Sequence, residues 1–84
     1  MTDAEITAKL TDIFRDVFDD DSIVLRPDMT ADDIEGWDSM SHITLVVAAE
    51  QAFGVKFPTA EIEELHDVSD FIRLIAVKVA GKRG

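Results

Sequence analysis

Six apolar residues, Ile6, Leu10, Ile13, Phe14, Val17 and Phe18, recur three and four positions apart near the start of the chain. That spacing puts them on one face of a helix, and a helix with one apolar face needs another apolar surface to cover it. The means of doing so are limited. The chain has 84 residues and no cysteine, so neither disulfides nor thiolate metal sites supplement a small core. Packed helices alone have to hold it together.

Thr2-Asp3-Ala4-Glu5 reads as a capping box for this first helix, with Glu5 placed to return the hydrogen bond that Thr2 accepts; the helix is expected to end near Asp19. Residues 20–38 show no sustained period. Asp20-Asp21-Ser22, Arg26-Pro27-Asp28 and Glu35-Gly36-Trp37 punctuate them as loop, with room for one short turn around 30–34. So long a connection is unusual in a compact domain and often carries function. Ile23, Val24, Leu25 and Met29 are expected to pin it to the helices.

A second helix is expected from Asp38 or Ser39 to Phe53, stopped by Gly54. Met40, Ile43, Val46, Val47 and Phe53 are its expected buried side, with Leu45 and Ala49 on a neighbouring face. Its β-branched residues suit a strand, but the length, the N-terminal cap and the terminal glycine decide for helix. Val55 to Pro58 reads as an extended link and Thr59 to Leu65 as a brief helix of about two turns. Asp67 caps a last helix whose apolar stripe is Val68, Phe71, Ile72, Ile75 and Val79. The fold class is therefore all-α: a small four-helix bundle, three main helices plus one short helix, with a long loop between the first two. It forms a single domain over 1–84. Each stripe is needed inside, so a monomer is expected.

The formal net charge is -10, which argues against nucleic acid, whose phosphates require Lys and Arg. Asp16 to Asp70 holds fifteen acids and two bases, Arg26 and Lys56, whereas the rest holds three acids and six bases ending in Lys78, Lys82 and Arg83. The acidic middle would repel anionic membranes and attract basic partner surfaces; it serves solubility equally well. No apolar run approaches the roughly 18 residues of a membrane span. The first residues, Met1 to Glu5, lack the basic-then-apolar order of a signal peptide. A cytoplasmic protein is the expectation.

Gly36-Trp37-Asp38-Ser39-Met40 closes the long loop and opens the central helix. Asp-Ser before a helix is most simply an N-cap, because either side-chain oxygen can accept from the free N–H groups of the first turn. Serine at such a junction is also exposed to another enzyme. His42 follows Ser39 by three positions, the spacing of a nucleophile and base on one helical face. A hydrolase needs in addition an orienting group, an oxyanion site and a pocket. The chain has no Gly-x-Ser-x-Gly elbow, and the reading is not an enzyme. His42 is expected at the surface, and Trp37 as an anchor of the loop.

Three segments resemble the acyl carrier protein family along nearly the whole chain. Gly36-Trp37-Asp38-Ser39-Met40 is similar to its Asp-Ser-Leu signature, with Met for Leu. Glu50-Gln51-Ala52-Phe53-Gly54-Val55-Lys56-Phe57-Pro58 is similar to the close of its second helix, and His66-Asp67-Val68-Ser69-Asp70-Phe71-Ile72 to the start of its fourth. The resemblance implies that Ser39 is esterified with 4'-phosphopantetheine, taken from coenzyme A by a phosphopantetheinyl transferase with magnesium. The terminal thiol would carry acyl groups as thioesters, which a chain without cysteine has no thiol of its own to hold. A phosphodiester there would meet the positive end of the helix dipole, worth roughly 0.3–1 kcal/mol.

The resemblance further implies docking by acyl-activating, acyltransferase or synthase enzymes with basic surfaces. Asp38, Met40, Glu50, Glu61, Glu63 and Glu64 are the candidate contacts, and Val46, Val47, Ile62 and Phe71 the candidate lining of an acyl-sheltering interior. The acids could equally form a solvated face, and the apolar residues an ordinary core. Two features depart from the carriers of fatty acid synthesis: the central helix has only Glu50 as an acid after Asp38, and Trp37 and His42 flank the serine. They point to a specialised pathway of polyketide, modified-lipid or aminoacyl transfer. An aminoacyl or peptidyl carrier, and an unmodified acidic helical adaptor, are the alternatives.

Overall fold

A computed structural model describes residues 2–82, of Lys82 the backbone only. It contains four helices and, among the described residues, no strand: α1 (Asp3–Phe18), α2 (Ser39–Phe53), α3 (Thr59–Ile62) and α4 (Val68–Lys82). Arg83, at the basic end of the chain, lies outside the described residues.

Local sequence sets most helix boundaries. Thr2 and Glu5 form the capping box, with Thr2 Oγ1 accepting from the Glu5 N–H at 3.2 Å and Glu5 Oε1 accepting from the Thr2 N–H at 2.9 Å. At the other end Asp19 takes the left-handed conformation, φ 51°, a position where glycine is commoner and aspartate tolerated. Gly54 closes α2 at φ 66°, where the absent Cβ removes the strain. Asp67 caps α4, accepting from the Asp70 N–H at 2.8 Å and from the Ser69 hydroxyl at 2.7 Å. α3 is shorter than expected: its four residues begin after Pro58 without a side-chain cap, and turns carry the chain through Glu63 and Glu64.

α1 packs against both α2 and α4. Ile6, Leu10, Phe14, Leu45, Ala49, Val68, Phe71 and Ile75 are fully inaccessible to solvent at their meeting. Val17 and Phe18 of the first stripe, and Ile72 and Val79 of the last, pack at the core's edge, half-buried.

The long connection is ordered by backbone bonds. The first N–H groups of α4 would be orphaned; instead Val68 and Ser69 donate to the carbonyls of Met29 and Pro27, each at 2.9 Å. Arg15 Nε donates to the Ile23 carbonyl, also at 2.9 Å, fastening the loop to α1. Ile23, Leu25, Met29 and Ile34 are buried beneath it. Val24 is not: it is 67% exposed, because in extended chain Ile23 and Leu25 face inward and the residue between them faces out.

The buried side of α2 also differs from the expectation. Leu45, Val46, Ala49 and Phe53 face the core, whereas Met40, Ile43 and Val47 are 79%, 61% and 45% exposed. Apolar residues surround this helix, so periodicity does not select a face. The selection comes from packing: α1 lies against α2, and Leu45 and Ala49 are left with no exposed surface.

Candidate functional site

Gly36 adopts φ 89° at the end of the loop, a value that favours glycine, and turns the chain so that Trp37 enters the core while Asp38 and Ser39 remain outside. Asp38 is the N-cap of α2: its Oδ1 accepts from the Ser41 N–H at 2.9 Å. Ser41 Oγ donates to the Gly36 carbonyl at 2.8 Å, tying the turn to the helix. Both cap bonds therefore end on Ser41. Ser39, the first residue of the helix, is exposed, and its hydroxyl makes no hydrogen bond within the described residues.

Trp37 is buried and sets its ring edge-on to Phe14, centroids 5.2 Å apart. Its indole Nε1–H donates to His42 Nδ1 at 3.3 Å, and the two rings lie nearly parallel, edge to edge, with centroids 6.2 Å apart. On its other side the imidazole meets Phe71 at 6.3 Å. Trp37 anchors the loop as expected. His42, expected at the surface, is half-buried between Trp37 and Phe71, and with Nδ1 accepting from the indole it is not arranged as a base for Ser39.

A cleft of about 500 Å³ opens beside Ser39, between the start of α2 and the segment from α3 to α4. Trp37, His42, Ile43, Ile62, Leu65 and His66 form most of its walls. Of the four residues expected to line an acyl-sheltering interior, only Ile62 reaches this cleft; Val46 and Phe71 are core, and Val47 is on the outer face of α2.

The acidic candidates separate. Asp38, Glu63 and Glu64 are exposed, Asp38 and Glu63 on the cleft beside Ser39 and Glu64 in a separate groove against Asp70, Arg73 and Leu74 of α4. Glu50 is half-buried, its Oε2 accepting from the Phe57 N–H at 2.8 Å and holding the link after α2. Lys78 Nζ lies 2.9 Å from Glu61 Oε2 and 3.2 Å from Oε1, fastening α3 to α4. Sequence reasoning overlooked Ile43 as an exposed neighbour of Ser39, and Ser41 as the residue that receives the cap; the three-residue step from Asp38 was the available signal for Ser41.

Hydrogen bonding, above all from the Ser41 N–H and further from the Met40 N–H, holds the Asp38 carboxyl below its ordinary value. The folded state therefore keeps Asp38 charged to lower pH than the unfolded chain, whose value is 3.8. Stability from this charge is fully present above that value and is lost as pH falls through the lower folded one. The stability difference between the native chain and Asp38→Ala, measured by urea denaturation, is expected to be constant from neutrality to mild acid and to shrink below pH 3.8. A difference that grows on acidification would contradict this assignment.

A family model described as a phosphopantetheine attachment site matches residues 8–75. An acyl carrier protein of Myxococcus xanthus is 37% identical over 84% of this chain and 90% of its own length. The chain belongs to the acyl carrier protein family. An acyl carrier protein of Thermosynechococcus vestitus is 35% identical over 95% of this chain and 99% of its own. Among solved structures, a holo acyl carrier protein from Geobacter metallireducens, determined by NMR in solution, superposes with a TM-score of 0.86. It shares 45% identity and covers 92% of this chain and 88% of its own. The four-helix arrangement is the acyl carrier fold, and the protein is a carrier rather than a catalyst.

The carrier's cofactor is covalent 4'-phosphopantetheine, and the residues present fit it. There is a hydroxyl free to form an ester, at a helix start where a phosphate is favourably placed. There is no cysteine to supply a thiol in its stead. No helix of the described residues is long and apolar enough to cross a membrane.

Proposed function

We propose that the carrier holds its arm on Ser39 and presents acyl groups to partner enzymes of a specialised pathway. The observation that carries the attachment is the contrast between two serines on one helical turn. Ser41 uses its N–H and its hydroxyl to hold the helix start, whereas Ser39 is exposed and its hydroxyl has no hydrogen bond among the described residues. A transferase can engage Ser39 without breaking a bond of the fold. Once bound, the arm supplies the thiol on which acyl groups travel as thioesters. The protein's own part is to hold the tether on a rigid helix, which raises the effective concentration of cargo at each docked enzyme.

The specialised pathway is supported by the character of α2. Met40, Ile43 and Val47 make its exposed face apolar, and Glu50, its one acid after Asp38, is held by Phe57. A partner would meet an apolar strip at the centre, with Asp38, Glu63 and Glu64 at the margin to steer basic surfaces into place. Buried apolar contacts near the centre of an interface carry most of its energy. Met40→Ala is therefore expected to lower the kcat/KM of the transferase about tenfold, roughly 1.4 kcal/mol. Thermal stability should change by less than about 0.5 kcal/mol, since Met40 touches little of the core. Unchanged modification kinetics would remove Met40 from the docking surface.

The reading is tested by incubating the chain with coenzyme A and a broad-specificity phosphopantetheinyl transferase. Intact mass should rise by one phosphopantetheine, placed on Ser39 by fragmentation. No increment with several transferases, or an increment on another residue, would overturn it. Offering the holo form to fatty acyl-, polyketide- and aminoacyl-loading enzymes then identifies the pathway class.

A further inference from the structure

Met40 follows Ser39 directly and is 79% exposed, and Ile43 and Val47 continue its apolar strip along α2. The other methionine among the described residues is the opposite case. Met29 is 6% exposed, and its Sδ accepts from the Arg26 N–H at 3.0 Å. Both access and one sulfur lone pair are thereby withdrawn from a reagent. Trp37, the chain's one tryptophan, is buried as well. With no cysteine in the chain, no thiol competes for an oxidant before the arm is attached. The thioether of Met40 is therefore the open target, and it lies next to the attachment serine.

A peroxide transfers one oxygen atom to such a thioether. A sulfur lone pair forms the S–O bond, the peroxide O–O bond breaks, and the remaining oxygen leaves as water. Sulfur loses two electrons and the peroxide gains them. An apolar, adaptable side chain becomes a polar, chiral sulfoxide. We propose that Met40 is an oxidative modification site that switches docking at Ser39. With the thioether intact, the transferase closes on an apolar strip. With the sulfoxide, the same closure carries a polar oxygen into an apolar contact, where it costs free energy unless a donor meets it. The change is reversible: methionine sulfoxide reductases return two electrons from a dithiol, which becomes a disulfide, and the oxygen leaves as water. This switch rests on Ser39 carrying the arm and on Met40 meeting the transferase.

The test uses the full chain before the arm is added, treated with hydrogen peroxide and then freed of it. Fragmentation should place an added oxygen on Met40 before any on Met29. The kcat/KM of the transferase, read from the phosphopantetheine increment, should fall about tenfold or more. Both methionine sulfoxide reductases with dithiothreitol should restore it. Met40→Leu keeps an apolar side chain of similar volume without the sulfur, so peroxide should leave its rate where that variant's untreated rate stands. Met40→Gln should be as slow as the oxidised chain with no peroxide at all. The melting temperature should not change on oxidation, because Met40 lies outside the core. Oxygen on Met29 before Met40, or an unchanged rate in a chain oxidised at Met40, would overturn the switch alone. So would a loss that persists in Met40→Leu, or a melting temperature that falls with oxidation. An untreated chain that gains no increment overturns the attachment at Ser39 and the switch together.

Discussion

Phe71→Ala is expected to destabilise the protein by about 3–5 kcal/mol, the range for removing a fully buried phenylalanine. Phe71 has no exposed surface and joins three aromatic neighbours, Phe14, His42 and Phe57. It comes from α4, whereas His42 belongs to α2 and Phe14 to α1, so its loss loosens all three main helices at once. A domain of this size has a total stability of only about 5–15 kcal/mol, with no disulfide in reserve. The melting temperature, followed by far-ultraviolet circular dichroism, should fall by tens of degrees, since each kcal/mol shifts a small domain by about 4–8 °C. A variant melting within a few degrees of the native chain would show that the meeting of Phe71 with Phe14, His42 and Phe57 is not the packed centre of the bundle. Phe18→Ala, at the half-buried edge of the same cluster, should cost much less.

The second large effect is functional and separates two neighbouring serines. Ser39→Ala is expected to abolish the phosphopantetheine increment while leaving the melting temperature unchanged, because the exposed Ser39 side chain makes no hydrogen bond among the described residues. Ser41→Ala should do the reverse. It removes the bond to the Gly36 carbonyl and lowers stability by about 1 kcal/mol, yet the chain still gains one increment. Intact mass after transferase treatment and a thermal melt on each variant suffice. An increment retained in Ser39→Ala, or lost in Ser41→Ala with Ser39 intact, would refute the assignment of Ser39.

His42 shows where a reading by spacing misleads. Three residues from Ser39, it falls on an adjoining part of the same helical surface and on that ground belongs outside with it. The structure turns it inward, because Trp37 enters the core at the preceding turn and presents an N–H at its ring edge that the imidazole can accept. The acidic residues show the complementary limitation. Glu50, Glu61, Glu63 and Glu64 are alike as sequence, but Glu50 holds a backbone N–H and Glu61 a lysine from another helix, while Glu63 and Glu64 stay exposed.

What the chain's own order determines is whatever depends on bonds between near neighbours. The Thr2–Glu5 box, the Asp38 and Asp67 caps and the Gly54 stop each act within three or four residues, so residue type and spacing already contain the interaction. The stripe that begins at Ile6 belongs with them: amphipathic spacing states which face of α1 is buried, and Ile6, Leu10, Ile13 and Phe14 are buried. Tertiary structure decided the rest. Apolar side chains surround α2, so its exposed strip of Met40, Ile43 and Val47 follows from where α1 lies. The loop is held by the carbonyls of Ile23, Pro27 and Met29, groups that every residue carries and no side-chain pattern reveals. The closing of the core beneath Ser39 required rings from α1, the loop, α2 and α4 to meet, a contact between residues as far apart as Phe14 and Phe71 that only the folded chain creates.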